Sequence, residues 1–282
     1  MYKVSVIGAG TMGCGIVQNV AQVGYNVILL SHSEESVKKG LENLKQSMSK
    51  AVEKGKMQAE QMNGCLLRIS LSWDMKDIKD SDIVIEAVPE ELKLKVAVFK
   101  DMEKFSKKDA ILATNTSSIS IDKIAASVKS PSRVVGLHFF NPVPIMKLVE
   151  IVRGDKTSDD TFSKAKDFAE HLGKIPVMVK NSPGFVSNRI LMLFINEAVK
   201  TLEDKVATKE GIDNVARMGF NHPMGPLELA DLIGLDVCKD IMDAIYEQMK
   251  DEKFKPAKLL NDLVRKGKLG KKSGEGFYNY KN

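Results

Sequence analysis

The stretch KVSVIGAGTMG (residues 3–13) decides how this chain begins to fold. Its opening residues KVSVI are a short β-branched run typical of a buried strand, and the glycines that follow have the spacing GxGxxG. The next segment, residues 12–23, carries apolar residues at helical spacing. The sequence therefore predicts a strand, a tight glycine turn and a helix in direct succession.

A turn of this kind favours a ligand with phosphate groups, although a purely structural turn is the alternative. The first glycine allows the tight turn, the second lets the backbone approach a pyrophosphate, and the third lets the helix pack closely on the strand. The amides at the start of the helix then face the phosphates. We therefore predict a dinucleotide cofactor, and its expected contacts in this turn are Gly8, Gly10, Thr11, Met12 and Gly13.

The segment VILLSHSEE (residues 27–35) predicts the second strand and bears on which dinucleotide binds. In such units this strand usually ends on a carboxylate that binds the ribose hydroxyls of adenosine. Here Ser31 stands in that place, followed by His32, and both are expected beside the cofactor. Because no carboxylate repels a 2′-phosphate and Lys38 or Lys39 lies close in sequence, we expect NAD(H) or NADP(H), with NADP(H) preferred.

Strand and helix patterns alternate over much of the chain. Strand-like runs recur at 66–71, 83–88, 110–114, 134–137, 148–152 and 176–179, and helical stretches are predicted at 34–53, 91–103 and 121–128. A polar, glycine-containing segment occupies 55–64. This alternation predicts an α/β fold with a Rossmann-like, mostly parallel, doubly wound sheet in residues 1–183. Beyond Pro183 only helical patterns follow, so residues 184–282 are predicted to be an all-helical C-terminal domain. Its continuous apolar run at 191–195 indicates a helix buried on more than one side, and we expect this domain to border the substrate cleft and to form a homodimer.

A histidine and a glutamate lie on two consecutive predicted strands. His138 ends the strand RVVGLH, and Glu150 lies inside the apolar run LVEIV. A lone buried carboxylate costs several kcal/mol, and a chain reversal at Pro144 would bring Glu150 back to His138. A histidine held by a carboxylate keeps one tautomer and suits general acid/base chemistry on an alcohol. The alternative is a hydrogen-bonded core histidine beside an edge-strand charge.

Two further polar residues are candidates for substrate contacts. Ser117 lies in the polar run TNTSS, which follows a predicted strand, and the carboxyl ends of such strands point into a ligand crevice. A plain turn is the alternative reading of that run. Asn188 lies among apolar residues of the first helix after Pro183, where it either contacts substrate or has a structural capping role.

Composition argues against several other classes of protein. The chain has 282 residues, of which 43% are hydrophobic and 28% charged, which is an ordinary globular mixture. Its 42 basic and 37 acidic residues are interleaved, which disfavours nucleic acid binding, while the net charge of +5 suits a phosphorylated substrate. No spacing of His, Cys and carboxylates predicts a metal site, and no apolar run predicts a membrane span. Three separated cysteines and no targeting pattern predict a reducing, cytoplasmic location.

The sequence resembles the L-3-hydroxyacyl-CoA dehydrogenase family along essentially its whole length. The motifs that carry the resemblance are GAGTMGCGI, ATNTSS, HFFNPVPIMKLVEIV, PGFVSNRIL, NHPMGPLELADLIGLD and GKKSGEGFYNY. The resemblance implies interconversion of 3-hydroxyacyl-CoA and 3-oxoacyl-CoA by hydride transfer with NAD(P)(H), in butyrate or fatty-acid metabolism. The sequence looks like the short, single-function bacterial members, which have no fused hydratase and act on (S)-3-hydroxybutyryl-CoA.

The resemblance also implies roles for individual residues. His138 would be the catalytic acid/base with Glu150 as its partner, and Ser117 and Asn188 would position the substrate. The residues expected near the cofactor are Glu90, Lys95, Asn115 and Asn141, and those expected near the CoA moiety are Ser47 and Lys54, for which Lys50 and Lys56 could substitute. Two alternatives stay open: a dehydrogenase of a free β-hydroxy acid with the same two-domain plan, and a non-catalytic dinucleotide-binding protein.

Overall fold

The computed structural model describes residues 2–281. The chain divides into two compact units, Met1–Asn181 and Ser182–Asn282. The predicted fold class is confirmed, because a mostly parallel sheet with helices in the first unit is followed by a helical second unit. Within residues 2–281, no helix combines the length and the apolar character that crossing a membrane would require.

The first unit is built on one sheet of eight strands. The strands are β1 (Val4–Ile7), β2 (Val27–Leu30), β3 (Ile69–Ser72), β4 (Ile83–Glu86), β5 (Ile111–Thr114), β6 (Val134–Phe139), β7 (Leu148–Arg153) and β8 (Ile175–Lys180). They lie in the order β3-β2-β1-β4-β5-β6-β7-β8, and only the β6–β7 pairing is antiparallel. The strand order reverses between β1 and β4, and in such sheets ligands bind at the carboxyl ends of the strands beside this switch point.

The helices of the first unit are α1 (Thr11–Gln22), α2 (Glu34–Glu53), α3 (Ala59–Leu66), α4 (Leu92–Phe105), α5 (Ile121–Ala125) and α6 (Asp159–His171). Two of them differ from the sequence expectation. Helix α3 begins inside the segment that was predicted only as polar and glycine-containing, and the amide of Gln58 donates to Gln61 Oε1 at 3.0 Å at its start. Helix α6 is not among the predicted elements, although Ser158 caps it by accepting the amide of Thr161.

The core of the first unit lies where α1 and α6 cover the strands. Val4, Val6, Ile16 and Leu29 are at most 1% exposed. Fully burying a side chain of this size contributes about 1.5–3 kcal/mol. The central strands are buried on both faces, and this explains why their sequences are continuous apolar runs instead of alternating ones.

The second unit is helical and has its own apolar core. Its helices are α7 (Ser187–Glu203), α8 (Lys209–Asn214), α9 (Pro226–Ile233), α10 (Leu235–Met249) and α11 (Lys258–Arg265), with a π-helical turn at Val215–Gly219. Among its described residues, β structure is limited to the isolated bridges at Gly270, Glu275 and Asn279. Met192 and Ile195 of α7 pack with Leu235 and Met242 of α10, and all are at most 1% exposed.

Candidate active site

The glycine turn has the geometry that the GxGxxG pattern predicts. Gly8 has φ +121°, and a Cβ on it would lie 2.4 Å from the carbonyl oxygen of Ala87. A Cβ on Gly13 would lie 1.8 Å from the carbonyl oxygen of Gly8, whereas a Cβ on Gly10 would meet nothing within 4 Å. The first and third glycines are therefore required by packing, and the second borders open space into which a phosphate group fits.

Helix α1 begins directly after this turn with its amides available to an anion. Gly10 is its N-cap, so no side chain caps it, and its first turn contains no acidic residue. The first amides of a helix lack intrahelical partners and carry the positive end of the helix dipole. The turn and this helix start thus fit the pyrophosphate of a dinucleotide.

A cleft of about 740 Å³ in the first unit contains the turn and the end of β2. The predicted cofactor residues that line it are Gly8, Gly10, Thr11, Met12, Ser31 and His32. The Oγ atom of Ser31 lies 2.9 Å from Ser36 Oγ and 3.4 Å from His32 Nδ1. Sequence reasoning missed Trp73, which also lines the cleft and is 52% exposed. A lone tryptophan after a short strand gives no sequence signal for this position.

The charges around Ser31 differ from those expected from the sequence. Lys38 pairs with Glu34 at 2.7 Å on the exposed side of α2 and does not line the cleft. Lys39 does not line it either, and Asp101 is the charged residue among the described lining side chains. The described lining of the cleft therefore offers hydroxyl groups and the imidazole of His32, but no lysine or arginine, to a 2′-phosphate.

Lys95, a buried residue of α4, forms ion pairs with two glutamates. Its Nζ atom is 2.7 Å from Glu86 Oε1 and 3.2 Å from Glu90 Oε2. Burial raises the pKa of Glu86 and is opposed by Lys95, and Thr114 donates its hydroxyl to Glu86 Oε2 at 2.7 Å. Glu86 is the member that sequence reasoning missed, although an acid inside the apolar strand IVIE gives the same signal as LVEIV.

Glu90 fixes the loop that carries Ser117. Its Oε1 atom accepts the hydroxyl of Thr116 at 2.5 Å and the amides of Ser117 and Ser118 at 3.1 and 3.0 Å. Burial would raise the pKa of Glu90, but Lys95 and the hydroxyls of Thr116 and Ser118 hold it below its usual value. The ionised carboxylate thus holds Ser117 at the carboxyl end of β5.

The ends of β5 and β6 are tied together by Asn115. Its side-chain Oδ1 atom accepts the backbone amide of Phe139 at 2.9 Å, and its backbone amide donates to the carbonyl of Glu86 at 2.8 Å. Asn115 therefore joins three neighbouring strand ends. This contact lies one residue from His138, so Ser117 and His138 are carried by adjacent strand ends that share one anchor.

His138 and Glu150 form the pair that the sequence predicts. They face each other across the antiparallel β6–β7 ladder, and His138 Nδ1 lies 2.7 Å from Glu150 Oε2. His138 is 7% exposed and Glu150 1%, and the ring of Phe140 lies 4.6 Å from the imidazole. The prediction that the chain reverses and brings the two side chains together is confirmed.

The loop between these two strands is fixed by Lys174, which sequence reasoning missed. Its Nζ atom donates to the carbonyl of Val143 at 2.5 Å and of Met146 at 2.9 Å. Burial lowers the pKa of Lys174, which is 7% exposed. A lysine is usually expected at the surface, so its sequence gave no reason to place it here.

A smaller cavity of about 190 Å³ brings two more predicted residues beside the turn. Ser47 of α2 and Asn141 both line it together with Gly10 and Thr11. Lys54 follows the last residue of α2 and does not line this cavity. It lies about 10 Å from Ser47 along the chain, at about 1.5 Å per helical residue.

Asn188 belongs to the second unit. It lies in the first turn of α7, directly after Ser187, and is buried. The N-cap of this helix is Val186, so Asn188 is not its capping residue. Within residues 2–281, no group of three or more His, Cys, Asp or Glu side chains could hold a metal ion.

Comparison with protein families and known proteins agrees with this geometry. Residues 3–182 match the model of the 3-hydroxyacyl-CoA dehydrogenase NAD binding domain, and residues 184–280 match that of the C-terminal domain. The chain is 48% identical to 3-hydroxybutyryl-CoA dehydrogenase of Clostridioides difficile, with 99% of both chains covered. It is 45% identical to a probable 3-hydroxybutyryl-CoA dehydrogenase of Bacillus subtilis, covering 99% of this chain and 97% of that one.

Known structures give the same result. The crystal structure of (S)-3-hydroxybutyryl-CoA dehydrogenase from Ralstonia eutropha matches with a TM-score of 0.96 and 44% identity, and 100% of both chains is covered. These matches extend over both units, and the first carries the turn and the cleft described above. The chain therefore belongs to the 3-hydroxyacyl-CoA dehydrogenase family and is an NAD-dependent oxidoreductase with an NAD binding domain and the family's C-terminal domain.

Proposed function

We propose that the chain interconverts (S)-3-hydroxybutyryl-CoA and acetoacetyl-CoA with His138 as its acid/base. The observation that carries the proposal is the 2.7 Å contact between His138 Nδ1 and Glu150 Oε2 inside a dinucleotide-binding unit. The relatives from C. difficile and R. eutropha carry the name 3-hydroxybutyryl-CoA dehydrogenase, which supports the choice of substrate.

The pair assigns a task to each nitrogen of the imidazole. Because Nδ1 contacts Glu150, Nε2 is the atom that we propose exchanges a proton with the 3-hydroxyl group of the substrate. Glu150 holds the tautomer and stabilises the imidazolium that forms when the hydroxyl loses its proton. In the reducing direction His138 returns that proton to the 3-oxo oxygen. A bound NAD(H) supplies the hydride chemistry at C3.

Other residues position the substrate and the cofactor in this proposal. Ser117, held by Glu90, and Asn188 would direct donors to the substrate carbonyl, and Ser47 with Lys54 would contact the CoA moiety. The proposed cofactor contacts are the glycine turn, Ser31, His32, Glu90, Lys95, Asn115 and Asn141. Correct positioning of reacting groups supplies a large share of the rate in such reactions.

The preference for NADP(H) that Ser31 suggests stays a prediction. It is supported by the absence of a carboxylate at Ser31 and by the hydroxyls of Ser31 and Ser36, which lie 2.9 Å apart. The lining residues described for the cleft include no lysine or arginine that would bind a 2′-phosphate strongly. The ratio of kcat/KM for NADPH and NADH measures the preference, and replacement of Ser31 by Asp should shift it towards NADH. A ratio that favours NADH tenfold in the wild type would overturn the predicted preference.

We also propose that the chain is a homodimer through the second unit, with the domain boundary between residues 183 and 184. Large apolar side chains remain exposed there, and Ile190 is 65%, Met218 79% and Phe220 60% exposed. Contiguous apolar patches mark protein interfaces, and these three side chains are our candidates for one. Sedimentation equilibrium at micromolar concentration should give a dimer, and Phe220→Glu should shift it towards the monomer. A cytoplasmic location stays a prediction.

The proposed reaction is tested by the reduction of acetoacetyl-CoA and of free acetoacetate, each with NADH and NADPH. We expect efficient turnover of the thioester and little of the free acid. Efficient reduction of acetoacetate would indicate a free β-hydroxy acid dehydrogenase. Tight NADH binding without turnover of either compound would indicate a non-catalytic dinucleotide-binding protein.

A further inference from the structure

A basic pocket of about 630 Å³ lies in the first unit and has no part in the proposed reaction. Its charged and hydroxyl-bearing lining residues are Lys100, Glu103, Lys104, Lys108, Ser127, Lys129, Ser130 and Arg133. Five cations therefore surround one carboxylate. We call these residues the basic pocket.

The position of the basic pocket separates it from the cofactor cleft. Lys108 lies just before β5 and Arg133 just before β6, so the pocket is at the amino ends of these strands. The glycine turn follows the carboxyl end of β1, which runs in the same direction as β5 and β6. The pocket therefore lies at the amino ends of the strands and the cleft at their carboxyl ends, and their lining residues do not overlap.

The lysines of the basic pocket carry charge that the described protein does not neutralise. Lys100, Lys104, Lys108 and Lys129 form no ion pair with another residue among 2–281. Elsewhere on the surface, lysines commonly pair along helices, as Lys164 does with Asp160 at 2.7 Å. Several uncompensated cations around one concave surface create a positive potential that attracts anions.

Arg133 and Glu103 fix the backbone beside the basic pocket through hydrogen bonds. Arg133 Nη1 donates to the carbonyls of Lys107 and Ala110 at 2.8 and 3.2 Å, and Glu103 accepts the amides of Lys129 and Ser130 at 2.8 and 2.7 Å. The loop that carries Lys129 is thus fixed against α4. The lysine side chains that line the pocket can therefore contact a ligand by a change of rotamer, without a change of the backbone.

We propose that the basic pocket binds a small compound with several neighbouring phosphate groups. The four ammonium groups that lack an ion pair carry more charge than a ligand with a single carboxylate would neutralise. Phosphate oxygens can accept from several lysines at once. The volume is within the range of sites for small molecules. Neighbouring phosphates occur both in nucleoside triphosphates and in the phosphorylated adenosine end of coenzyme A.

The test is calorimetric titration of the full chain at low ionic strength with NADH saturating the cofactor cleft. The probes are pyrophosphate, ATP and adenosine 3′,5′-bisphosphate, the last representing the coenzyme A end. We expect binding that the variant K108A/K129A weakens about tenfold, which corresponds to about 1.4 kcal/mol, since two solvent-exposed charge contacts are lost. The side chains of Lys108 and Lys129 make no hydrogen bond or ion pair with other described residues, so the fold should be retained.

The matched control is K156A/K266A, which removes the same charge from exposed positions outside the basic pocket. It should bind all probes as the wild type does, and both double variants should reduce acetoacetyl-CoA at the wild-type rate. Stronger binding of ATP than of the bisphosphate would identify a nucleoside polyphosphate as the ligand, and the reverse would identify the coenzyme A end. Equal binding by the two double variants, or no heat with any probe, would overturn the proposal.

Discussion

The two units hold their buried carboxylates in different ways. In the first unit, each buried glutamate contacts a nitrogen base or cation: Glu86 lies 2.7 Å from Lys95 Nζ, and Glu150 lies 2.7 Å from His138 Nδ1. Both partners are themselves nearly inaccessible to solvent. Each of these carboxylates therefore has a nitrogen-bearing side chain as its buried partner.

In the second unit, the buried carboxylates accept hydrogen bonds from backbone amides and tyrosine hydroxyls instead. Asp231 accepts the amides of Phe277 and Tyr278, both at 2.9 Å, and the hydroxyl of Tyr280 at 3.1 Å. Asp213 accepts the hydroxyl of Tyr278 at 2.8 Å. Neither aspartate forms an ion pair with any other residue among 2–281.

The difference indicates what each region is for. A carboxylate beside a basic nitrogen can stabilise a proton there, whereas one held by backbone amides and hydroxyls fixes the position of the chain. The GEGFYNY segment of the sequence is thus explained as an anchor of the C-terminal residues on Asp231. Substitutions in the two regions should separate activity from stability.

The largest expected effect is the loss of turnover in His138→Gln. Glutamine keeps a hydrogen bond but cannot take up the hydroxyl proton, so kcat for acetoacetyl-CoA reduction should fall about 10²–10⁴-fold. The dissociation constant of NADH, measured by fluorescence titration, should change little. His171→Gln is the matched control, because His171 contacts the carbonyl of Asp167 on α6, and it should keep wild-type kcat. A His138→Gln enzyme with nearly full turnover would contradict the assignment.

The next largest effect is on stability, in Lys95→Met. Removing the ammonium leaves Glu86 buried without its cation, and breaking such a pair costs about 3–5 kcal/mol. The free energy of unfolding in urea should fall by this amount, whereas Lys93→Met, an exposed lysine of the same helix, should be neutral.

The double variant Glu86→Gln/Lys95→Met sharpens this prediction. It removes both charges, so most of the lost stability should return if the cost comes from the unpaired carboxylate. A double variant that is no more stable than Lys95→Met would show that the unpaired carboxylate is not the main cost.

Asp231→Asn should have a smaller effect and leave chemistry unchanged. The amide group of asparagine places a donor where one carboxylate oxygen accepts from Tyr278 or from Phe277, and an unsatisfied buried group costs about 1–3 kcal/mol. We expect a lower free energy of unfolding. The kcat for acetoacetyl-CoA should stay within twofold of the wild type, which is a change of at most about 0.4 kcal/mol in the activation free energy. Asp240→Asn, an exposed aspartate of α10, is the control and should be neutral. A large loss of kcat in Asp231→Asn alone would contradict the division between the two regions.

The parts of the site that sequence predicts are those formed by local pattern. GxGxxG fixes its own turn because two of its glycines have no room for a Cβ, and the His138–Glu150 pair follows from a reversal between consecutive strands. Both need only short stretches of chain. Family resemblance supplied the expectation for Glu90 and Lys95, which spacing alone did not.

The parts that sequence did not predict depend on distant segments. Lys174 reaches the β6–β7 loop only because β8 lies beside β7, and Trp73 reaches the cleft only because β3 lies beside β2. Lys38 was expected within reach of Ser31, but the nearby Glu34 on the same helix pairs with it. Such outcomes are decided by tertiary neighbours that a local pattern does not contain.

The smallest expected effect is a difference in pH dependence between Glu90→Gln and Asp231→Asn. The pKa of Glu90 is lowered, so its contribution to stability is present above its unfolded value near 4.5 and is lost as pH falls through its folded pKa. Burial raises the pKa of Asp231 above 3.8, so its contribution is present below that value and is lost as pH rises through its folded pKa.

The stability difference between wild type and variant should therefore change in opposite directions as pH falls from about 6 to about 3. For Glu90→Gln it should shrink, and for Asp231→Asn it should grow, when urea unfolding is followed at several pH values. The effect at Glu90 should be modest because its side chain is 36% exposed and partly screened by solvent. Parallel slopes for the two variants would contradict the opposite pKa shifts of Glu90 and Asp231.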